Sequence, residues 1–289
     1  LTGCVCMLTL LDDFRSSSYS TQLLYAILAL CRSGDIEVAR HACGAMANIA
    51  ESKETHKRLI VEASVVQEFV FLMRSKHLSV FREASRCISN LVSSVICHRS
   101  FMEDGGLAAL IRVAATNDEE CQYTASLTFH KLTANPEVHV PIMGGGGLAS
   151  LLALTAVDNV LTQRQAATAL RNLTSNKDIK VGIAEQGALS AIILLMKHTD
   201  TELEILATGA LRHLSIASSV QKPAVQAGVV HVLVANVLDE DRKYLDLQRQ
   251  SVAAIANLAE NTENQVTMIK QGIFNALNKL VGVCDIDVQ

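Results

Sequence analysis

The sequence lacks tryptophan, and it has only 3 prolines and 4% aromatic residues in 289 residues. Average usage would give about 14 prolines in a chain of this length. The scarcity of proline excludes proline-rich linkers and collagen-like structure. Hydrophobic residues make up 49% of the chain and charged residues 19%, a balance that excludes a disordered chain. These values favour helices, because aromatic residues are enriched in strands.

Long apolar runs and a basic charge balance are also missing. The longest fully apolar run, from Leu23 to Cys31, is far shorter than the roughly 20 residues that a membrane-spanning helix needs. The net charge is −4, whereas nucleic-acid binding relies on a basic surface. The 8 cysteines form no CxxC pair, which is typical of reduced thiols. We therefore expect a cytoplasmic, nuclear or organelle-peripheral protein that binds no nucleic acid and contacts membranes only indirectly or through a lipid signal outside this chain.

Patterns that indicate catalysis are absent from the sequence. It contains no HExxH, GxSxG or P-loop motif, and the glycine run at 144–147 is not followed by GK[ST]. A phosphate-binding loop needs that continuation after a strand. We therefore predict no enzymatic activity, no metal site and no cofactor.

One short motif returns along the whole chain: a small residue, an apolar residue, a variable residue, then Ile or Leu, as in AMANIA at 45–50 and AAIANLA at 253–259. We call the variable residue the ladder position. Its members are separated by 41, 42, 41, 41, 41 and 44 residues and are Met7, Asn48, Asn90, Lys131, Asn172, His213 and Asn257. A fixed period of this length indicates a repeat architecture.

A second marker lies 15 residues after each ladder position. Five of its seven members are glycine: Gly105, Gly146, Gly187, Gly228 and Gly272. Glycine suits a sharp reversal at a helix end because it tolerates positive φ. We therefore predict three helices per repeat: a short first helix before the marker, an apolar second helix after it, and a long third helix that carries the ladder position near its end.

The third helix has a buried stripe at ten, six and two residues before the ladder position and one after it, as in Val38, Ala42, Met46 and Ile49. This spacing describes one face of a helix. We predict one solenoid over residues 1–289, with partial repeats at 1–10 and 262–289 and complete repeats at 11–52, 53–94, 95–135, 136–176, 177–217 and 218–261.

The period, the glycine between the first two helices and the late asparagine resemble the armadillo repeat family, with AATALRNLTSN and GALRHLS closest to its vacuolar-adaptor and β-catenin-type branch. The resemblance implies an all-α, right-handed superhelix whose third helices line a concave groove. Import receptors of this family place a tryptophan four residues before the asparagine. This chain has none, so binding of nuclear-import signals is not expected.

Helical geometry selects the residues that would face the groove: those seven and four before the ladder position, the ladder position, and four after it. Side-chain amides donate and accept hydrogen bonds and can pair with the main chain of an extended peptide. An asparagine that bridges adjacent third helices would explain the repetition equally well. The candidate groove residues are Asn48, Arg86, Asn90, Lys131, Gln165, Asn172, Asn176, His213, Gln250, Asn257 and Asn261.

A basic row lies eight residues before the ladder position. It would make the groove edge positive and suited to acidic or phosphorylated segments, unless each arginine pairs with an acidic neighbour. Its members are Arg40, Arg82, Arg164 and Arg249.

The sequence thus predicts a non-enzymatic scaffold or adaptor that binds an extended segment of another protein. Two alternatives stay open: a structural component of a cytoskeletal or ciliary assembly, and the substrate-recruiting region of a ubiquitin ligase.

Overall fold

The computed structural model of the chain describes residues 2–9, 21–51, 64–238 and 245–280. Within these ranges all regular secondary structure is helical, as the composition predicts. The chain divides into two compact units, residues 1–150 and 151–289, and each is described by itself. The predicted starts of the first two repeats, around residues 11 and 53, lie outside the described ranges.

The described part of the first unit contains four third helices or parts of them, two sets of first and second helices, and two further second helices. Its helices are α1 (Thr2–Leu8), α2 (Thr21–Cys31), α3 (Ile36–Ala50), α4 (Val65–Leu72), α5 (Leu78–Leu91), α6 (Ile96–Glu103), α7 (Gly106–Ala114), α8 (Glu119–Thr133) and α9 (His139–Gly144), with a 3-10 turn at Pro136–Val138. Helix α10 (Gly147–Leu154) follows α9 along the chain.

The second unit repeats the same order of helices. They are α11 (Val160–Thr174), α12 (Lys180–Ile183), α13 (Leu189–Leu195), α14 (Thr201–Ser215), α15 (Ser218–Gln226), α16 (Val229–Leu238), α17 (Leu245–Ala259), α18 (Thr262–Lys270) and α19 (Ile273–Leu280). Between α12 and α13 the chain is kinked at Gly187, whose φ of 90° is not helical.

Four of the described third helices begin at a residue whose side chain caps the helix. Asp35, Asp118, Asn159 and Asp200 each accept a hydrogen bond from a main-chain N–H of the first turn, which satisfies a group that has no partner inside the helix. The third helix Thr201–Ser215, for example, begins directly after its N-cap Asp200.

The five marker glycines all have positive φ, between 79° and 90°. Each lies next to the start of a second helix, as the spacing predicts. In one of the two repeats without the glycine, Ser64, one residue after the marker position, has a φ of 56°. An L-residue pays a steric cost for this conformation that glycine avoids.

Small residues six before the ladder position bring the third helices together. Ala84 and Ala125 in the first unit and Ala166 and Ser251 in the second are fully buried. Helix α3 packs on α5 and α5 on α8, while α11 packs on α14 and α14 on α17. Each unit is therefore a stack of neighbouring third helices, with the first and second helices packed behind them.

A polar residue, which the sequence analysis overlooked, ties the first helix to the end of the third; it is buried in three of the four repeats that show it. His98, His139, Gln221 and Gln265 each lie eight residues after a ladder position, and each side chain contacts the main-chain oxygen six residues before it, at 2.7 to 3.1 Å. Helix ends leave such carbonyl groups without an intrahelical partner. A donor at this register is thus part of the repeat.

In the described residues no single helix has both the length and the apolar character to cross a membrane; one bent pair, Pro136–Gly144 with Gly147–Leu154, meets those two criteria jointly.

Candidate functional site

The ladder side chains reach across to the preceding third helix. Asn90 Nδ2 donates to Ala47 O at 2.9 Å, and Lys131 Nζ donates to Ser89 O at 2.8 Å. In the second unit Asn257 Nδ2 donates to Arg212 O at 3.1 Å. The acceptor is in each case the residue just before the preceding ladder position. The ladder therefore joins consecutive third helices, which is the bridging role that the sequence left open beside ligand contact.

The acceptors explain why every bridging ladder residue carries a nitrogen donor. Ala47, Ser89 and Arg212 are among the last four residues of their helices, whose carbonyl groups lack intrahelical partners. A donor from the neighbouring helix satisfies such a group. Asparagine, lysine and histidine all meet this requirement, so the ladder tolerates variation between them.

The ladder amides differ in what they leave available. Asn48 is 2% exposed; its Nδ2 donates to Cys6 O and Thr9 Oγ1, and its Oδ1 accepts from Arg86 Nη1. Asn48 is therefore sealed inside the first unit. Asn90 and Asn257 are half-buried, and their Oδ1 atoms have no hydrogen-bond partner among the described residues. These two oxygens can accept hydrogen bonds from a ligand.

Arg86, which lies four residues before Asn90, is bound within the first unit. Besides Asn48 Oδ1, it donates to Gly44 O at 3.3 Å and to Glu83 Oε2 at 2.7 Å. Its charge is paired with Glu83. Arg86 therefore organises the surface of α3 and α5.

The basic row is paired with carboxylates. Arg82 binds Asp118, and it lies 3.3 Å from Glu120. In the same way, Arg164 binds Asp200 at 2.6 Å and Glu202 at 2.5 Å. Arg40 and Arg249 each lie near an acidic residue of their own helix, at 2.8 Å from Glu37 and 3.9 Å from Asp246.

The acids that pair with the row also cap the third helices. Hydrogen bonding from Arg82 lowers the pKa of Asp118 to about 2, and Arg164 lowers the pKa of Asp200 in the same way. Because each carboxylate both caps a helix and binds an arginine of the previous repeat, Arg82 and Arg164 have a structural role that uses their charge.

Some of the remaining predicted groove residues make hydrogen bonds within the unit, and others are half-buried on a helix. Asn176 and Asn261 accept hydrogen bonds through Oδ1 from the main-chain N–H two residues later, at 2.9 and 3.0 Å, which shapes the turn before the next helix. Gln250 Oε1 accepts from Arg212 Nη1 at 3.1 Å. Gln165 and Asn172 are half-buried on α11.

His213 is the ladder residue of α14 and lies in a positively charged environment. Its Nδ1 is 3.3 Å from Arg171 O. Burial lowers the pKa of His213, and the charges of Arg212, Arg171 and Lys180 lower it further. The imidazole is therefore neutral at pH 7.

Two of these cations belong to a register that the sequence analysis overlooked, one residue before the ladder position. A Cβ atom at Gly209 would lie 2.8 Å from Arg171 Nε, so the Arg171 side chain lies across α14. Arg212 reaches α17 through Gln250. The signal in the sequence is the recurrence of arginine at 171 and 212 directly before the ladder residues.

No group of three His, Cys, Asp or Glu side chains suited to a metal ion occurs in the part of the chain that the structure describes.

Comparison with known proteins supports the repeat assignment. The sequence model of the family described as Armadillo/beta-catenin-like repeat matches residues 53–93. An engineered protein of known crystal structure is 26% identical, with a TM-score of 0.90 over 100% of this chain and 71% of its own. A search of curated protein sequences found no match.

Two further solved structures are similar in fold. A computationally designed armadillo repeat protein for modular peptide recognition is 20% identical, covers 81% of this chain and 99% of its own, and has a TM-score of 0.76. A designed armadillo repeat protein in complex with the peptide (KR)4 is 21% identical over the same shares, with a TM-score of 0.73. Residues 53–93 therefore match an armadillo repeat, and the fold is the all-α solenoid of armadillo repeat proteins.

Proposed function

We propose that this chain is a non-enzymatic scaffold that binds an extended peptide on the surface formed by its third helices. The observation that carries the proposal is the state of Asn90 and Asn257. Each amide is held by its nitrogen on the preceding helix, and each keeps a half-buried oxygen without a partner among the described residues. An extended peptide has main-chain N–H groups that need acceptors of this kind.

The dimensions of each unit suit such a ligand. Packed helices lie about 8 to 10 Å apart, so three successive third helices span roughly 20 Å. An extended chain advances about 3.3 Å per residue, and one unit therefore accommodates about six residues of peptide. Designed armadillo proteins with a similar fold are described as peptide binders, which supports this class of ligand.

The donor pattern makes the surface rigid before any ligand binds. The same side chain that offers Oδ1 to solvent is fixed by its Nδ2 contact with the neighbouring helix. A preorganised acceptor loses little conformational entropy on binding. The adaptor role, in which the bound segment belongs to a complex or an organelle, and a cytoplasmic location are parts of this proposal that the cysteine content and the repeat architecture support.

The experiment is selection of binders from a display library of random dodecapeptides against the whole chain. Selected peptides are then titrated against Asn90→Ala, Asn257→Ala and the control Leu194→Ala, which truncates an exposed side chain of the second helix α13. We expect the asparagine variants to weaken binding about tenfold and the control to leave it unchanged.

Peptides that depend on Leu194 and not on the asparagines would overturn the proposal. They would favour the assembly role, cytoskeletal or ciliary, in which the outer helices make the contacts. The ubiquitin-ligase alternative shares the peptide surface and differs in requiring a ligase domain on the same polypeptide.

A further inference from the structure

We infer that the second unit binds the carboxylate or phosphate side chains of an acidic peptide through a cationic cluster around His213, in which Arg171 and Arg212 contact the peptide and the buried Lys180 adds positive charge. This inference rests on the proposed peptide function and specifies the chemistry of the peptide. The sequence analysis assigned the binding of acidic segments to the basic row, whose charges are paired with carboxylates. The present inference assigns it to arginines that lie one residue before a ladder position.

The position of Arg171 is the first step. A Cβ atom at Gly209 would lie 2.8 Å from Nε, 3.3 Å from Cδ and 3.4 Å from Cζ of Arg171. The Arg171 side chain therefore passes over α14 at Gly209, one turn before His213 on the same helix face. A Cβ atom at Gly209 would require the Arg171 side chain to shift. The Arg171 side chain is thereby placed among the residues predicted to face a ligand.

The partners of the three cations are the second step. Arg212 donates to the neutral oxygen of Gln250 at 3.1 Å. Lys180 is 7% exposed, and its Nζ donates to His213 O at 3.3 Å. Arg171, Lys180 and Arg212 have no carboxylate partner among the described residues, whereas Arg82 and Arg164 have two each. The cluster therefore carries positive charge that no described carboxylate neutralises.

The corresponding place in the first unit is neutral. There the residue at the register of Arg171 is Cys6, whose Sγ would lie 3.2 Å from a Cβ atom at Gly44, and the carboxylate of Glu83 from the following repeat would lie at 3.5 Å. Glu83 is itself paired with Arg86. The positive charge is therefore a property of the surface around His213 and is not repeated at the equivalent place around Asn48.

The chemistry of the cluster favours oxyanions. Arginine offers a planar fork of N–H donors that matches carboxylate and phosphate oxygens. The main-chain oxygen near His213 Nδ1 can only accept, so the proton of the neutral ring is on Nδ1 and Nε2 is free to take up another. An anion next to the ring favours that uptake, and His213 then adds a fourth positive charge.

The geometry favours a peptide over nucleic acid. The cluster contains three cations on a chain with a net charge of −4. Binding of nucleic acid draws on many phosphate contacts along an extended basic surface, whereas one or two acidic side chains suffice to occupy this cluster. An acidic segment of a peptide extended over the third helices meets both requirements.

The test measures the affinity of the whole chain for four labelled probes: octaglutamate, a peptide with four phosphoserines, the basic peptide (KR)4, and single-stranded DNA of eight nucleotides. We expect octaglutamate and the phosphoserine peptide to bind at least tenfold more tightly than (KR)4 and DNA. The ratio of the first two affinities distinguishes carboxylate from phosphate as the better ligand. Stronger binding of DNA, or equal binding of (KR)4, would overturn the inference.

Variants locate the binding. Arg171→Gln combined with Arg212→Gln is expected to weaken octaglutamate at least tenfold and to reduce its salt dependence. The control combines Arg99→Gln and Lys222→Gln, which removes the same charge from two exposed ion pairs, and is expected to change affinity less than twofold. Equal losses in the two double variants would show that net charge alone attracts the probe.

A second variant keeps all the charges but changes the position of the Arg171 guanidinium group. Gly209→Ala displaces the Arg171 side chain from α14, so we expect a several-fold loss for octaglutamate; unchanged affinity would contradict the placement. A neutral peptide from the display selection separates the two proposals. If that peptide binds and octaglutamate does not, the cluster is wrong and the peptide surface stands. If octaglutamate alone binds, the cluster stands without an extended groove.

Discussion

Asn90 on α5 and Ala47 on α3 are joined by a hydrogen bond of 2.9 Å between Nδ2 and the main-chain oxygen. This bond connects the third helices of two successive repeats and leaves the amide oxygen half-buried on the surface. The Nδ2 atom of Asn90 thus has a structural role, and its Oδ1 atom is available to a ligand.

Substitutions of Asn90 separate the structural role of its Nδ2 atom from the ligand-binding role of its Oδ1 atom. Asn90→Ala removes donor and acceptor, while Asn90→Asp keeps the acceptor but loses the donor at neutral pH. We expect each to lower the free energy of unfolding by about 1 kcal/mol or more, because Ala47 O loses its partner. Denaturant unfolding measures this effect.

Peptide affinity distinguishes the same two variants. A library-selected peptide should lose more affinity with Asn90→Ala than with Asn90→Asp, because only alanine removes the oxygen. In the unfolding measurement, an unchanged free energy of unfolding in both variants would show that the hydrogen bond to Ala47 does not stabilise the packing of the third helices.

The turn positions provide a second prediction. Gly187 has a φ of 90° and open space where a Cβ atom would lie, so Gly187→Ala should cost about 1 kcal/mol through backbone strain alone. The reverse change, Ser64→Gly at a φ of 56°, should raise stability by a few tenths of a kcal/mol or more. Thermal unfolding checks both. If both variants shifted the unfolding temperature by the same amount in the same direction, the explanation through positive φ would be contradicted.

The ion pair of Arg82 with Asp118 makes stability depend on acid pH. The pKa of Asp118 is lowered to about 2, so its contribution is present above the ordinary value near 4 and is lost as the pH falls towards 2. Asp118→Asn keeps an oxygen for the helix cap but loses the charge. We expect it to cost up to about 1 kcal/mol at pH 7.

The pH dependence of that cost is the decisive part of the measurement. The unfolding free energies of wild type and Asp118→Asn should converge as the pH approaches 2. Asp200→Asn, at the same register in the second unit, should behave alike. A cost that stays constant from pH 7 to pH 2 would mean that the ion pair does not stabilise the fold.

The ring of His213 makes stability depend on pH in a higher range than Asp118 does. Its pKa is lowered by burial and by Arg212, Arg171 and Lys180, so the unfolded chain binds a proton more readily than the folded chain. Stability should therefore fall as the pH drops through about 6.5, the ordinary value for histidine. His213→Asn should remove this dependence while keeping a donor for Arg171 O.

NMR titration of the His213 ring measures the same property directly. We expect a pKa below that of an exposed histidine in the free protein and a higher pKa when octaglutamate is bound. An unchanged pKa in the complex would place the acidic peptide away from the ring.

The periodic features of the fold are predictable from the sequence because they depend on local spacing. The start of α14 at Thr201 and the reversal at Gly187 follow from an N-cap residue and from a glycine that tolerates positive φ. The positive φ of Ser64 is not predictable in this way, because serine carries no such signal and the marker position of that repeat is Ala63.

The candidate site is less predictable because its properties arise between repeats. The sequence shows that asparagine recurs at the ladder position, but not that its nitrogen is bound and its oxygen available. Likewise, the pairing of Arg82 with Asp118 joins residues that are 36 positions apart. The repetition of that spacing by Arg164 and Asp200 is a signal that a comparison of charges across repeats would find.

The most direct measurement of the central claim is a crystal structure of the whole chain with a library-selected peptide. The account predicts an extended peptide on the third helices, with a main-chain N–H of the peptide donating to Oδ1 of Asn90 or Asn257 at about 2.9 Å. A peptide bound to the second helices, or one that folds as a helix without contact to either amide, would contradict it.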